Sequence, residues 1–61
     1  MKCSELLRIL KRDGWYPVSQ QGSHIKLAQP VKKNVILFPN HGSREVGKGM
    51  EIKILKDAGM L

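Results

Sequence analysis

The segment QQGSHIKLAQ, residues 20–29, places His24 directly behind a Gly22-Ser23 turn signal and at the head of an alternating run. Histidine both accepts and releases a proton near neutral pH, and a substrate that carries its own nucleophile asks for little more. RNA is such a substrate, because its 2′-hydroxyl can attack the adjacent phosphorus. A base that removes the hydroxyl proton, or an acid that protonates the departing 5′ oxygen, suffices for strand scission when cations balance the phosphorane charge. Lys26, Lys32, Lys33, Arg44 and Lys48 are the cations available, and Ser23 adjoins the histidine. These residues are read as RNA contacts. His41, in PNHGS, is a second group that suits proton transfer, loop hydrogen bonding or phosphate contact. Against this, a histidine at a strand start is also ordinary surface, and many lysines of any basic domain are simply solvated.

Other chemistries find no support. A zinc site needs three or four placed Cys, His or carboxylate ligands, and Cys3, His24 and His41 lack any such spacing. No metal or other cofactor is expected. There is no nucleophile elbow for a Ser-His-Asp hydrolase, and Gly22-Ser23, Gly42-Ser43 and Gly47-Lys48-Gly49 are too short for a phosphate-binding P-loop. Cys3 reads as a small apolar residue without a redox partner. Trp15 and Tyr16 suit base stacking, although in a small core they serve more readily as packing anchors.

The elements that must position His24 follow from periodicity. Ser4 is the expected N-cap of a first helix, with Glu5 behind it where the helix dipole favours an acid. Leu6, Leu7, Ile9 and Leu10 share one arc, Arg8, Lys11 and Arg12 the opposite one, and Gly14 supplies the left-handed terminator. WYPVSQ is aromatic and β-branched, and Pro17 confines it to an edge strand. Residues 24–28 alternate so that Ile25 and Leu27 face the core while His24, Lys26 and Ala28 face away. After the polar turn at Pro30–Asn34, VILFP over Val35–Pro39 makes a third strand. Beyond the Gly-rich loop, Met50, Ile54, Leu55, Ala58 and Leu61 line a helical arc on which Glu51 intrudes, and Gly59 stands near its end. The expected fold is α+β, a small two-layer α-β-β-β-α domain with a three-stranded antiparallel sheet and two helices on one face. The other face is left open to a ligand, with His24 and Lys26 on it.

Composition narrows the partners. Eleven Lys and Arg against five Asp and Glu give a net charge of +6 and a pI near 9.9, which favours polyanions and nucleic acid first. The lysines are scattered, not gathered on an amphipathic helix, so a membrane-surface role is not expected. No apolar run approaches the roughly 20 residues of a membrane span, and no signal-peptide core is evident. The protein is therefore expected in the cytoplasm. Its 61 residues form one domain, residues 1–61. A chain so short buries only about 60% of its unfolded surface, and a lone cysteine permits no internal disulfide, so a partner chain is expected.

The order of four motifs is similar to that of the HicA-type messenger-RNA interferase toxins of prokaryotic toxin-antitoxin pairs. They are S-x-x-L-L-x-x-L with D-G-W (Ser4 to Trp15), Q-x-G-S-H (Gln20 to His24), P-x-H (Pro39 to His41), and K-G followed by I-L-K-x-A-G (Lys48 to Gly59). The resemblance implies a fold like the double-stranded-RNA-binding domain and a ribosome-independent endoribonuclease with one essential histidine, matched here by His24. It also implies a HicB-type antitoxin that covers the active surface, with DNA contacted through the antitoxin and not directly. Many members carry a second histidine after the G-S-H histidine and an aromatic two residues on, where this chain has Ile25 and Leu27. The other reading of the same fold and charge is a non-catalytic RNA-binding module.

Overall fold

A computed structural model describes all 61 residues. Helix α1 spans Cys3–Arg12, strands β1, β2 and β3 span Tyr16–Gln21, His24–Ala28 and Ile36–Pro39, and helix α2 spans Lys48–Asp57. The strands form an antiparallel meander in the order β1-β2-β3. The α-β-β-β-α order and the α+β class are those expected from the sequence.

Helix α1 does not begin as anticipated. Lys2 is the N-cap and Ser4 lies inside the first turn. The first orphan amides of a helix that starts at Cys3 are taken by a distant loop: Cys3 donates to the Arg44 carbonyl at 2.9 Å and Ser4 to that of Gly42 at 3.0 Å. Glu5 instead accepts from the Lys2 amide at 3.0 Å. Lys2 also bridges to Glu45, and the Met1 amine lies 3.0 Å from the Glu45 carboxylate and 3.6 Å from that of Glu51. The hydrogen bond it donates to Glu45 raises the amine's pKa above its ordinary value. Both helices end as the glycines require. Gly14 has φ 102° and Gly59 φ 73°, and in each case the next residue's amide reaches back, Trp15 to Leu10 and Met60 to Leu55, which closes a Schellman motif.

The core is one cluster on one side of the sheet. Leu6 and Leu10 of α1, Ile25 and Leu27 of β2, Ile36 and Phe38 of β3, and Ile54 of α2 meet there with Cys3, Trp15, Val46 and Ala58. Strand β1 contributes nothing buried; all six of its residues are exposed. Its pairing to β2 slips between Pro17 and Ser19, so Val18 is the extra residue of a bulge on an edge strand that already holds a proline. Three local expectations fall to this packing. Val35 stands outside β3 and is exposed, Met50 and Leu61 are exposed and leave the buried arc of α2 to Ile54 and Ala58, and Tyr16 is exposed where Trp15 alone anchors the core. Trp15 precedes β1 and sits in the helix terminator, so the inward position belongs to it.

Candidate RNA-contacting face and the 39–44 loop

His24 opens β2 from a tight hairpin. Gln21 pairs with His24, which leaves Gly22 and Ser23 as the loop, and Gly22 has φ 61°, as the first central position of a type II′ turn requires. Gln20 Nε2 donates to the Gly22 carbonyl at 3.0 Å and closes the turn from the strand side. The burial of β2 alternates with Ile25 and Leu27 in, His24 and Lys26 out, so the two polar residues lie on the face without helices. Across the strands, Lys26 is flanked by Ser19 and Leu37, and His24 by Gln21 and Pro39. Ala28, placed on the same face by alternation, is half-buried at the strand's far end.

The register also decides what gathers at the His24 end. Pro39 lies opposite His24, and the Asn40 amide donates to the Ser23 carbonyl at 2.7 Å. The chain leaves β3 there, so the exposed His41 follows within two residues of His24's cross-strand partner. Arg44 donates its amide to the His41 carbonyl at 3.3 Å and its side chain is in none of the ion pairs. Lys48 opens α2 with its side chain 83% exposed, 3.8 Å from Glu51. Lys26 thus faces solvent on the open face, His41 and Arg44 are exposed in the loop that leaves its His24 end, and Ser23 is joined to that loop through its backbone.

Lys32 and Lys33 lie elsewhere. They follow the opposite end of β2, roughly 13 Å from His24 at the usual rise of a strand. Lys33 is exposed. The Lys32 ammonium is 3.0 Å from Asp13 Oδ2, donates to the Ala58 carbonyl, and sits 5.8 Å from the centre of the Trp15 ring. Asp13 also accepts from Trp15 Nε1 at 3.3 Å. This cation holds the C-terminal ends of both helices together, a role that the pair Lys32-Lys33 in a polar turn gave no sign of in the sequence.

A groove of about 280 Å³ was not anticipated. It runs between α1 and the end of β3 and is lined by Ser4, Leu7, Arg8, Lys11 and Asn40. The only sequence signal for it is the basic i, i+3 pair Arg8 and Lys11, neither of which has a carboxylate within ion-pair distance. No set of three or more His, Cys, Asp or Glu side chains is disposed to hold a metal ion, and no helix is long and apolar enough to cross a membrane.

Residues 3–60 match the family model described as the HicA toxin of bacterial toxin-antitoxin. The chain belongs to the HicA toxin family. It is 40% identical over 60 residues, 98% of this chain and 97% of the relative, to a probable mRNA interferase HicA of Pseudomonas fluorescens (strain Pf0-1). The family match takes in His24, the 39–44 loop and the α1 groove together, so none of these features lies outside the HicA domain.

Proposed function

We propose that this HicA-family protein is a toxin endoribonuclease that cuts messenger RNA by metal-independent histidine acid-base catalysis and is neutralised by a HicB-like antitoxin. The observation that carries the reading is His24, exposed on the helix-free face of the sheet beside Lys26, in a chain whose 40%-identical relative is a probable mRNA interferase. In the reaction the RNA 2′-oxygen bonds to the adjacent phosphorus, the bond from phosphorus to the 5′ oxygen breaks, and a proton passes in net from the first oxygen to the second. The products are a 2′,3′-cyclic phosphate and a free 5′-hydroxyl. His24 is one of the two proton-transfer groups, base toward the 2′-hydroxyl or acid toward the 5′ oxygen, and His41 at the same end of the sheet is the candidate for the other. Lys26 and Arg44 balance the phosphorane charge, with Ser23, Lys33 and Lys48 as outlying contacts. Lys32 supports this reading least, since its ammonium is already engaged by Asp13, Ala58 and Trp15. The antitoxin lies over the open face, and the pair works in the cytoplasm, where its substrate is.

The test is incubation of labelled messenger RNA in EDTA with the parent protein and with His24→Ala at equal concentration. The parent should cleave with chelator present, and the variant, folded by circular dichroism, should be slower by about 10²- to 10⁴-fold, the usual contribution of one acid-base group. Equal cleavage by both would remove His24 from the mechanism. Absence of cleavage by either, with salt-dependent RNA affinity retained, would make this a binding module.

A further inference from the structure

We infer that the groove between α1 and Asn40 is a second RNA-binding subsite, in which Arg8 and Lys11 hold two backbone phosphates of the strand whose scissile bond lies at His24. The inference rests on the ribonuclease reading for the position of the scissile bond, and on three observations of its own. First, Arg8 and Lys11 stand at i, i+3 on α1, one beside the other on the helix surface, and both are exposed without an acidic partner. Second, they line a concave surface together with Ser4 and Asn40, so a strand that enters the groove meets a hydroxyl and an amide as well as two charges. Phosphate oxygens are bound by that mixture. Third, the groove is continuous with the His24 end of the molecule through one residue: Asn40 lines it while its amide donates to Ser23, the neighbour of His24. Asn40 Oδ1 accepts from the Gly42 amide at 3.4 Å, which leaves its Nδ2 free to donate into the groove. An RNA strand crossing the open face past His24 therefore meets Asn40 at the sheet's end and α1 beyond it.

Phosphate contacts are read by salt dependence, because each cation that neutralises a phosphate releases condensed counterions and steepens the fall of log K with log salt by about 0.7 for a single strand. Binding of a fluorescently labelled single-stranded RNA is measured over a salt series in a His24→Ala background, which prevents cleavage during the titration. Adding Arg8→Ala and Lys11→Ala should flatten the slope by about 1.4, and Arg8→Lys with Lys11→Arg should restore it. Alanine at exposed helical positions preserves α1, and circular dichroism checks this. Lys53→Ala with Lys56→Ala removes the same formal charge from the exposed side of α2 and should leave the slope unchanged. A slope untouched by the groove pair, an equal flattening by the α2 pair, or no RNA affinity at all would each overturn the subsite. Failure of the parent protein to cleave RNA is scored in the separate EDTA assay and bears on His24, not on this slope.

Discussion

At the scale of single residues, the chain leaves some cations free in solvent and builds others into the fold. The sequence offers Lys26 and Lys32 alike as cations for RNA, yet one faces solvent on the open sheet and the other is a third exposed against a carboxylate, a carbonyl and an indole. Lys32→Ala leaves the Asp13 carboxylate and the last turn of α2 without their shared donor. At this degree of exposure screening reduces the ion pair, and the lost charge-assisted bonds and ring contact should cost about 1–2 kcal/mol in urea unfolding. RNA cleavage by the folded fraction should stay within a few-fold of the parent. A large loss of cleavage without loss of stability would mean that Lys32 reaches substrate after all.

At the scale of elements, the parts that were legible are those set by a local rule. Alternation fixed the span of β2 and put His24 and Lys26 on the open face, and Gly14 marked the end of α1 because only a left-handed residue permits the Leu10–Trp15 return bond. Gly14→Ala tests that rule. An added Cβ would lie 3.5 Å from the Gln29 side chain, an ordinary contact, so the cost is backbone strain at φ 102° and should be about 1–3 kcal/mol in denaturant melts. A neutral result would mean that the terminator relaxes. The parts that were not legible are those set by long-range partners. Ser4 looks like an N-cap in isolation but loses the position to carbonyls of residues 42 and 44, Val35 precedes the buried Ile36 and is exposed like Leu37, and Met50 is exposed in the first turn of α2. The α1 groove requires β3 to end beside a helix some thirty residues earlier, which no local pattern encodes.

At the scale of the whole molecule, stability is narrow. Eleven buried side chains make the entire core, and domains hold about 0.05–0.15 kcal/mol per residue, which for 61 residues is about 3–9 kcal/mol. Phe38 is fully buried between the layers, and Phe38→Ala should cost about 3–5 kcal/mol. Most of the stability disappears with it, so the variant should lack a cooperative thermal transition at moderate temperature. The same substitution removes the ring opposite Ile25 and, by unfolding the sheet, the surface beside His24, so RNA cleavage should be lost even though no candidate catalytic group has changed. A cooperative melt near that of the parent would show that the core is more redundant than its size suggests.

The order in which buried residues occur along the chain has a consequence for synthesis. His24 is made early, but the sheet that supports it is closed underneath by Val46, Ile54 and Ala58, and the carbonyls that start α1 belong to residues 42 and 44. A ribosome that has made the first forty residues holds an unfolded polymer with a histidine in it. The core is complete only when Ala58 has emerged, so on the proposed ribonuclease reading a nascent toxin has no assembled surface with which to attack the message that encodes it.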